Sequence, residues 1–235
     1  MAYFRRMKVL RILILFLASD VWGQKPDSVH WSTGETGKDG SRSVYVFKEG
    51  SYDRLWGVAD RNNKVIIPIV YDHATCFMNG YAIIKKDGKF GYADSTGRIV
   101  LEPQFRYALP VNEGLTIVVL ADTYHLIDLT GRVIFSSPSI SRLAPDRYVV
   151  KVNEKVGLMD GNAKFIIPAD YDGISTGDSQ NRLLVQRNTK KISDHEFSSE
   201  WAFFKMNGKR LTAWKKEKYE SVPDPPPRDE SDAPR

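Results

Sequence analysis

Four aspartates recur along the chain, Asp60, Asp94, Asp128 and Asp160, separated by 34, 34 and 32 residues. Carboxylates repeated at one place in an array of like units can do two kinds of work. Gathered on one rim, they would supply a general acid and base, or the oxygen ligands of a hard cation. Kept apart, each would accept hydrogen bonds from the backbone of its own turn. The local sequences "DRNNK", "DSTGR", "DLTGR" and "DGNAK" favour the second kind. A cation loop needs several oxygen donors within a few residues, and each of these turns brings one carboxylate. No metal and no cofactor is expected.

Other chemistry is equally thin. The histidines His30, His73, His125 and His195 show neither H-E-x-x-H nor a second ligand spacing. No serine comes with an identifiable base. "GETGKDGS" resembles a phosphate loop but lacks the first glycine at the required distance from Lys38, and no strand and helix flank it. Cys76 is the one cysteine, so no internal disulfide can form, and a buried small hydrophobe is its simplest role. No catalytic, cofactor-binding or metal-binding residue is assigned, and the chain is read as a protein that is not an enzyme.

The elements that hold the aspartates are themselves repeated. "LWGVADRNNKVIIPIVYD" (residues 55–72) aligns without a gap on "KVGLMDGNAKFIIPADYD" (residues 155–172), and "KFGYADSTGRIVLEPQFR" (residues 89–106) is a third copy. Upstream of each lies a Val-, Ile- and Tyr-rich run such as "YAIIKK", suited to a pleated, half-buried surface. Turns follow at "KDGK" and "DSTGR", and the third run of each complete copy reaches a proline, taken here as its end. The pattern predicts an all-β fold: three-stranded antiparallel meanders of 32–34 residues in tandem, as an open curved array or a small propeller-like arrangement, with very little helix.

Each recurrent position has a structural role in this reading. Trp56 and Phe90 fill the same slot between stacked units, with a stacking platform for a sugar or peptide as the functional alternative, shared with Trp201. Gly57, Gly91 and Gly157 allow a close approach, and Gly97 and Gly131 end the aspartate turns. Pro68 and Pro168 mark strand exits, and Tyr71 and Tyr171 follow them with hydroxyls placed for loop backbone. The third unit is worn, with Tyr124 and His125 in place of the aromatic and glycine, and a fifth, degenerate unit includes "WAFFKMNGKRLTAW".

The linked pattern, aromatic-Gly-x-x-Asp-x-x-Gly-Lys/Arg-x-x-x-x-Pro-x-(Tyr/Phe)-Asp, resembles the WG repeat family of bacterial proteins. Trp56-Gly57 is the name-giving pair, Phe90-Gly91 its variant, and Gly157 keeps the glycine after Val156. The resemblance is close over residues 44–175 and weak to about 217. It implies an all-β repeat array, often exported and generally without an assigned activity.

The ends frame this domain. Residues 1–23 read as a signal peptide: a basic start, the apolar run "ILILFLA", then Val21 and Gly23 before a cut that leaves Gln24 first. Met7 is an alternative start, and the apolar run is far short of the ~20 residues of a membrane span. The formal charge is +5, of which Arg5, Arg6, Lys8, Arg11 and Asp20 contribute +3, leaving +2, so no nucleic-acid partner is inferred. Residues 24–43 read as a linker, 44–217 as the repeat domain with an insertion at 187–201, and 218–235 as a disordered Pro- and charge-rich tail. Two functions follow. The first is an exported (periplasmic, outer-membrane-associated or secreted), non-enzymatic interaction scaffold of the cell envelope. The second is an envelope carbohydrate-binding protein or hydrolase with a rim site built from acids of several repeats. The partner would be an unknown protein or an envelope glycan, with no stable transmembrane segment after signal cleavage.

Overall fold

The computed structural model describes residues 29–48, 51–177, 182–193 and 195–220, so residues 1–23, expected to be a signal peptide, and residues 221–235 lie outside the described residues. Within them the chain is all β, in five four-stranded antiparallel sheets that follow one another in sequence. The first holds β1 (His30–Thr36), β2 (Arg42–Phe47), β3 (Arg54–Ala59) and β4 (Val65–Tyr71). The second holds β5 (His73–Ala74), β6 (Tyr81–Lys86), β7 (Lys89–Asp94) and β8 (Ile99–Phe105). The third holds β9 (Tyr107–Ala108), β10 (Leu115–Leu120), β11 (Thr123–Asp128) and β12 (Val133–Ser137). The fourth holds β13 (Ile140–Ala144), β14 (Arg147–Val152), β15 (Lys155–Met159) and β16 (Phe165–Tyr171). The fifth holds β17 (Gly173–Thr176), β18 (Arg182–Lys191), β19 (Glu196–Lys205) and β20 (Lys215–Glu220).

The expected meander is present in every unit, extended by one more strand. In the second and third sheets that strand is only two residues long, too short to leave a periodic signal. Three boundaries move for the same reason, that pairing and not composition decides them. His30–Thr36, expected to be linker, pairs with β2. Lys218–Glu220, expected to begin the tail, complete β20 against Glu196–Ser198. The insertion at 187–201 is no separate loop, because it lengthens β18 and β19 to ten residues each and supplies the partner of β20.

Sheets stack because both faces of the inner ones are apolar. Ala82, Ile84 and Ala93 of the second sheet pack with Val58, Ile67 and Tyr71 of the first. Its opposite face sets Ile83, Tyr92 and Leu101 against Val118 and Ile127 of the third. Further clusters join the third sheet to the fourth and the fourth to the fifth. None among the described residues joins the fifth sheet to the first. Each unit therefore completes its neighbour, as expected for a stack of repeats.

The recurrent glycines answer to one irregularity. Trp56 pairs with Tyr71 and Val58 with Ile67, so the single residue Gly57 faces Pro68, Ile69 and Val70. Gly91 and Gly157 stand in the same relation to residues 102–104 and 168–170. A Cβ on Gly57 would lie 2.5 Å from the Ile67 carbonyl oxygen, and one on Gly91 2.5 Å from that of Leu101. Pro68 and Pro168 sit inside this bulge, and their strands continue to Tyr71 and Tyr171, so they are not the strand exits expected. A bulged residue is out of the ladder, so proline's missing N–H is tolerated there. The third unit supplies the contrast. With His125 for glycine and Ser136 for proline, Tyr124, His125 and Leu126 pair one to one with Ser137, Ser136 and Phe135.

Between the second and third sheets the buried Tyr92 hydroxyl donates to the Leu109 carbonyl at 2.6 Å and lies 2.7 Å from Thr116 Oγ1, which itself donates to the same carbonyl. Burial pushes the Tyr92 phenol up to about 12, against the opposing pull of the Thr116 hydroxyl and Arg142.

Two outcomes follow. Gly91→Val forces side chain into backbone and is expected to destabilise the chain by about 2 kcal/mol or more, read by chemical denaturation; an unchanged midpoint contradicts the close-approach account. Tyr92 has its folded pKa above its unfolded one, so its share of stability is complete below pH 10 and is lost as pH rises toward 12. Tyr92→Phe should cost about 1 kcal/mol at neutral pH and flatten that alkaline loss, both visible in melts run at several pH values.

Candidate functional site

The recurrent aspartates occupy the turns that join the third and fourth strands of the first four sheets. In each, Oδ1 accepts from two backbone amides, those of Asn62 and Lys64 for Asp60 and of Thr96 and Arg98 for Asp94. Asp128 does the same with Thr130 and Arg132, and Asp160 with Asn162 and Lys164. In the middle two turns the threonine hydroxyl donates to Oδ1 at 2.6 Å, and arginine Nε donates to Oδ2 at 3.1 Å on Asp94 and 2.9 Å on Asp128. The Thr96 hydroxyl above all, against partial burial, holds Asp94 below the usual carboxylate range, and Thr130 does so for Asp128. The fifth unit has Lys205 in the aspartate's place, and Asn207 Oδ1 accepts from Lys209 instead.

These carboxylates stay in their own turns and do not converge on one another. Among the described residues no three His, Cys, Asp or Glu side chains gather in a way that would hold a metal ion. The turn's fourth residue has a second duty, since a Cβ on Gly97 would lie 2.3 Å from the Ile66 carbonyl oxygen of the preceding sheet, and one on Gly208 2.4 Å from that of Ile166. Gly131 takes φ +84°, whereas Asn63 and Ala163 accept positive φ at the same position.

The recurrent aromatics lie at the margin of the core, half-buried. Trp56 packs between Tyr45, at 4.9 Å between ring centres, and His73, at 5.7 Å. Phe90 meets Tyr107 at 6.2 Å and carries Lys85 Nζ 5.2 Å over its ring. Burial and the nearby Lys85 ammonium both depress the His73 pKa. Trp201 differs from both. The face of the fifth sheet toward the fourth is Leu183, Val185, Ala202 and Phe204, so strand alternation places Trp201 and Phe203 on the other face. The indole N–H of Trp201 donates to Glu217 at 2.8 Å.

The ring of Tyr71 is in the core, and the loop contacts expected of the tyrosines belong to the aspartates beside them. Asp172 accepts from the Thr189 amide at 2.6 Å and pairs with Lys155 at 2.5 Å. Burial works to raise the Asp172 carboxyl, but these partners outweigh it and the net shift is downward. Arg106, at the equivalent place in the second unit, pairs with Asp122.

One concavity stands apart from the repeated geometry. Asp39, Ser41, Asp60, Arg61, Asn62, Ile66, Phe77 and Ser95 line a cleft of about 460 Å³ at the junction of the first two sheets. Asp39 Oδ1 accepts from the Ser41 hydroxyl at 2.6 Å and from its amide at 3.0 Å, and Ser41 Oγ accepts from the Phe77 amide at 3.0 Å. Burial raises the Asp39 carboxyl, yet the Ser41 bonds prevail and leave it lowered. Of these residues only Asp60 was legible as a candidate; "GKDGS" is a tight loop around Asp39, not a phosphate cradle.

No curated protein matches the sequence. Among solved structures the chain is similar to a eukaryotic initiation factor at 11% identity and TM-score 0.45, covering 82% of this chain and 57% of the other. It is also similar to the extracellular domain of a hybrid two component system from B. thetaiotaomicron, at 14% identity and TM-score 0.32, covering 78% and 33%. A third is a protein of unknown function from Bacteroides caccae, at 12% identity and TM-score 0.29, covering 76% and 77%. The chain thus spans about half and a third of the length of the first two structures. The WG containing repeat family matches twice in succession, over residues 56–90 and 90–124, which are the segments that hold the glycine bulges and aspartate turns of the first two sheets and the start of the third. Residues 56–124 thus match the WG containing repeat family.

Proposed function

We propose that the chain is an exported, non-enzymatic binding scaffold of the cell envelope. The observation that carries this is the closure of each recurrent aspartate within its own turn. Acids repeated at one place in an array are its best source of catalytic groups, and these are engaged in holding backbone. What the array offers instead is loop-built rims and an aromatic-edged side, the kind of surface that stacked repeats use for recognition. Export rests on the basic-then-apolar start of the sequence with its small residues before Gln24. Among the described residues no helix is long and apolar enough to cross a membrane.

A second reading, carbohydrate binding in the envelope, is favoured by the cleft beside Asp39 and Asp60. Its hydrolytic form would need acids of several repeats meeting on one rim, and the turn geometry works against that.

Both parts of the proposal can be measured. Intact mass of the protein recovered from the envelope fraction should begin at Gln24; recovery from the cytoplasm with residues 1–23 attached contradicts export. Asp128→Ala should cost about 1 kcal/mol of stability and leave capture of the envelope partner unchanged. The Asp128 carboxyl is held below its unfolded pKa, so its contribution is complete above the ordinary carboxylate range and is lost as pH falls through and below it. Loss of binding without loss of stability would make Asp128 a site residue and overturn the scaffold assignment.

A further inference from the structure

We infer that the cleft between the first and second sheets is a binding site for a neutral, hydroxyl-rich saccharide, an inference that rests on the second reading above and narrows its ligand class. Where the fourth sheet meets the fifth, β14 is entered through Asp146 and begins at Arg147. Asp146 Oδ1 accepts from the Gly161 amide at 2.6 Å, and Arg147 Nε crosses to the Met206 carbonyl at 3.3 Å. That junction is tied shut by its own side chains. By ladder register the same two places in the first sheet are Gly40 and Ser41. With no arginine to cross, and with Arg61 where Gly161 stands, the junction is left open as the cleft.

The second departure is in the turn. Arg98 and Arg132 hold the outer oxygens of Asp94 and Asp128, but the fourth residue after Asp60 is Lys64, as it is Lys164 after Asp160. Both of Asp60's turn bonds fall on Oδ1, and no described side chain takes up Oδ2. Asp39 likewise uses Oδ1 alone. The cleft is thus bordered by two carboxylates, each with an acceptor oxygen to offer. Opposite charges and donors accompany them: the Arg61 guanidinium, the Asn62 amide and the Ser95 hydroxyl. Ile66 and Phe77 add apolar wall.

A sugar hydroxyl both donates and accepts, so adjacent hydroxyls are met best by carboxylate acceptors beside guanidinium and amide donors. The volume of about 460 Å³ lies in the range of about 300–1,000 Å³ typical of small-molecule sites. Two carboxylates against one guanidinium leave the lining net negative, which disfavours uronates and phosphorylated sugars. The walls are fixed beforehand, because Ser41 is 2% exposed and ties Asp39 to the Phe77 backbone.

The test uses the full chain and saturation-transfer NMR with glucose, galactose, mannose and N-acetylglucosamine, and with glucuronic acid as the anionic comparison. At least one neutral sugar should bind, and glucuronic acid should bind more weakly. Asp39→Asn and Asp60→Asn keep the Oδ1 acceptor and so the local turn, and each should weaken binding by about tenfold. Asp160→Asn makes the same change in an equivalent turn outside the cleft and should leave binding unchanged. No neutral sugar bound, or equal binding by all three variants, overturns the site. Envelope partner capture that survives in the two cleft variants while no sugar binds overturns the sugar site alone and leaves the scaffold reading standing.

Discussion

Every sheet in this chain depends on a neighbour to cover its faces. A four-stranded meander with one polar face could stand against a single partner, but here the inner sheets present apolar side chains on both sides. Ala82 and Ile84 look one way from β6 while Ile83 looks the other, and all three are buried. Burying such faces is worth roughly 25 cal/mol for each Å² removed from water, and only a sheet on either side removes it all. The rest of the architecture serves that stacking. The glycine bulge lets the fourth strand press against the third, and the turn glycines let the next sheet approach the carbonyls of Ile66 and Ile166.

This constraint explains which positions recur and which do not. An aspartate whose Oδ1 holds two amides fixes the turn that meets the preceding sheet, so it recurs even in the worn third unit, as Asp128. The glycine recurs only where the partner strand is bulged, and His125 stands at a regular ladder position. The aromatic recurs least strictly, with Val156 in one unit, because its place is the half-open edge of the core. At the fifth unit the same place turns Trp201 toward a side with no following sheet among the described residues.

Much of this was legible in the residues. Val-, Ile- and Tyr-rich runs separated by "KDGK" and "DSTGR" marked the hairpins, and the single carboxylate per turn marked the aspartates as turn residues. What escaped was whatever depends on pairing across the sheet. Two-residue strands such as His73–Ala74 have no period to detect, and Pro68 looked like an end because the three-against-one bulge has no local signal. The strand at His30–Thr36 is polar enough to resemble a linker. The cleft was hidden for a related reason: Asp39 and Asp60 are 21 residues apart and meet only through the fold. Its one visible trace was difference between copies, Lys64 where the middle two turns have arginine and Ser41 where another unit has it.

The central claim is that the repeated residues build the scaffold and that recognition belongs to places where the copies differ. The most direct measurement is a backbone amide NMR titration of the full chain with the neutral sugars, following each aspartate turn separately. Shifts confined to residues 37–41, 60–62, 77 and 95 are predicted, with the turns at Asp128 and Asp160 unmoved. Equal shifts in all four aspartate turns would make the repeated word a repeated site and contradict the account.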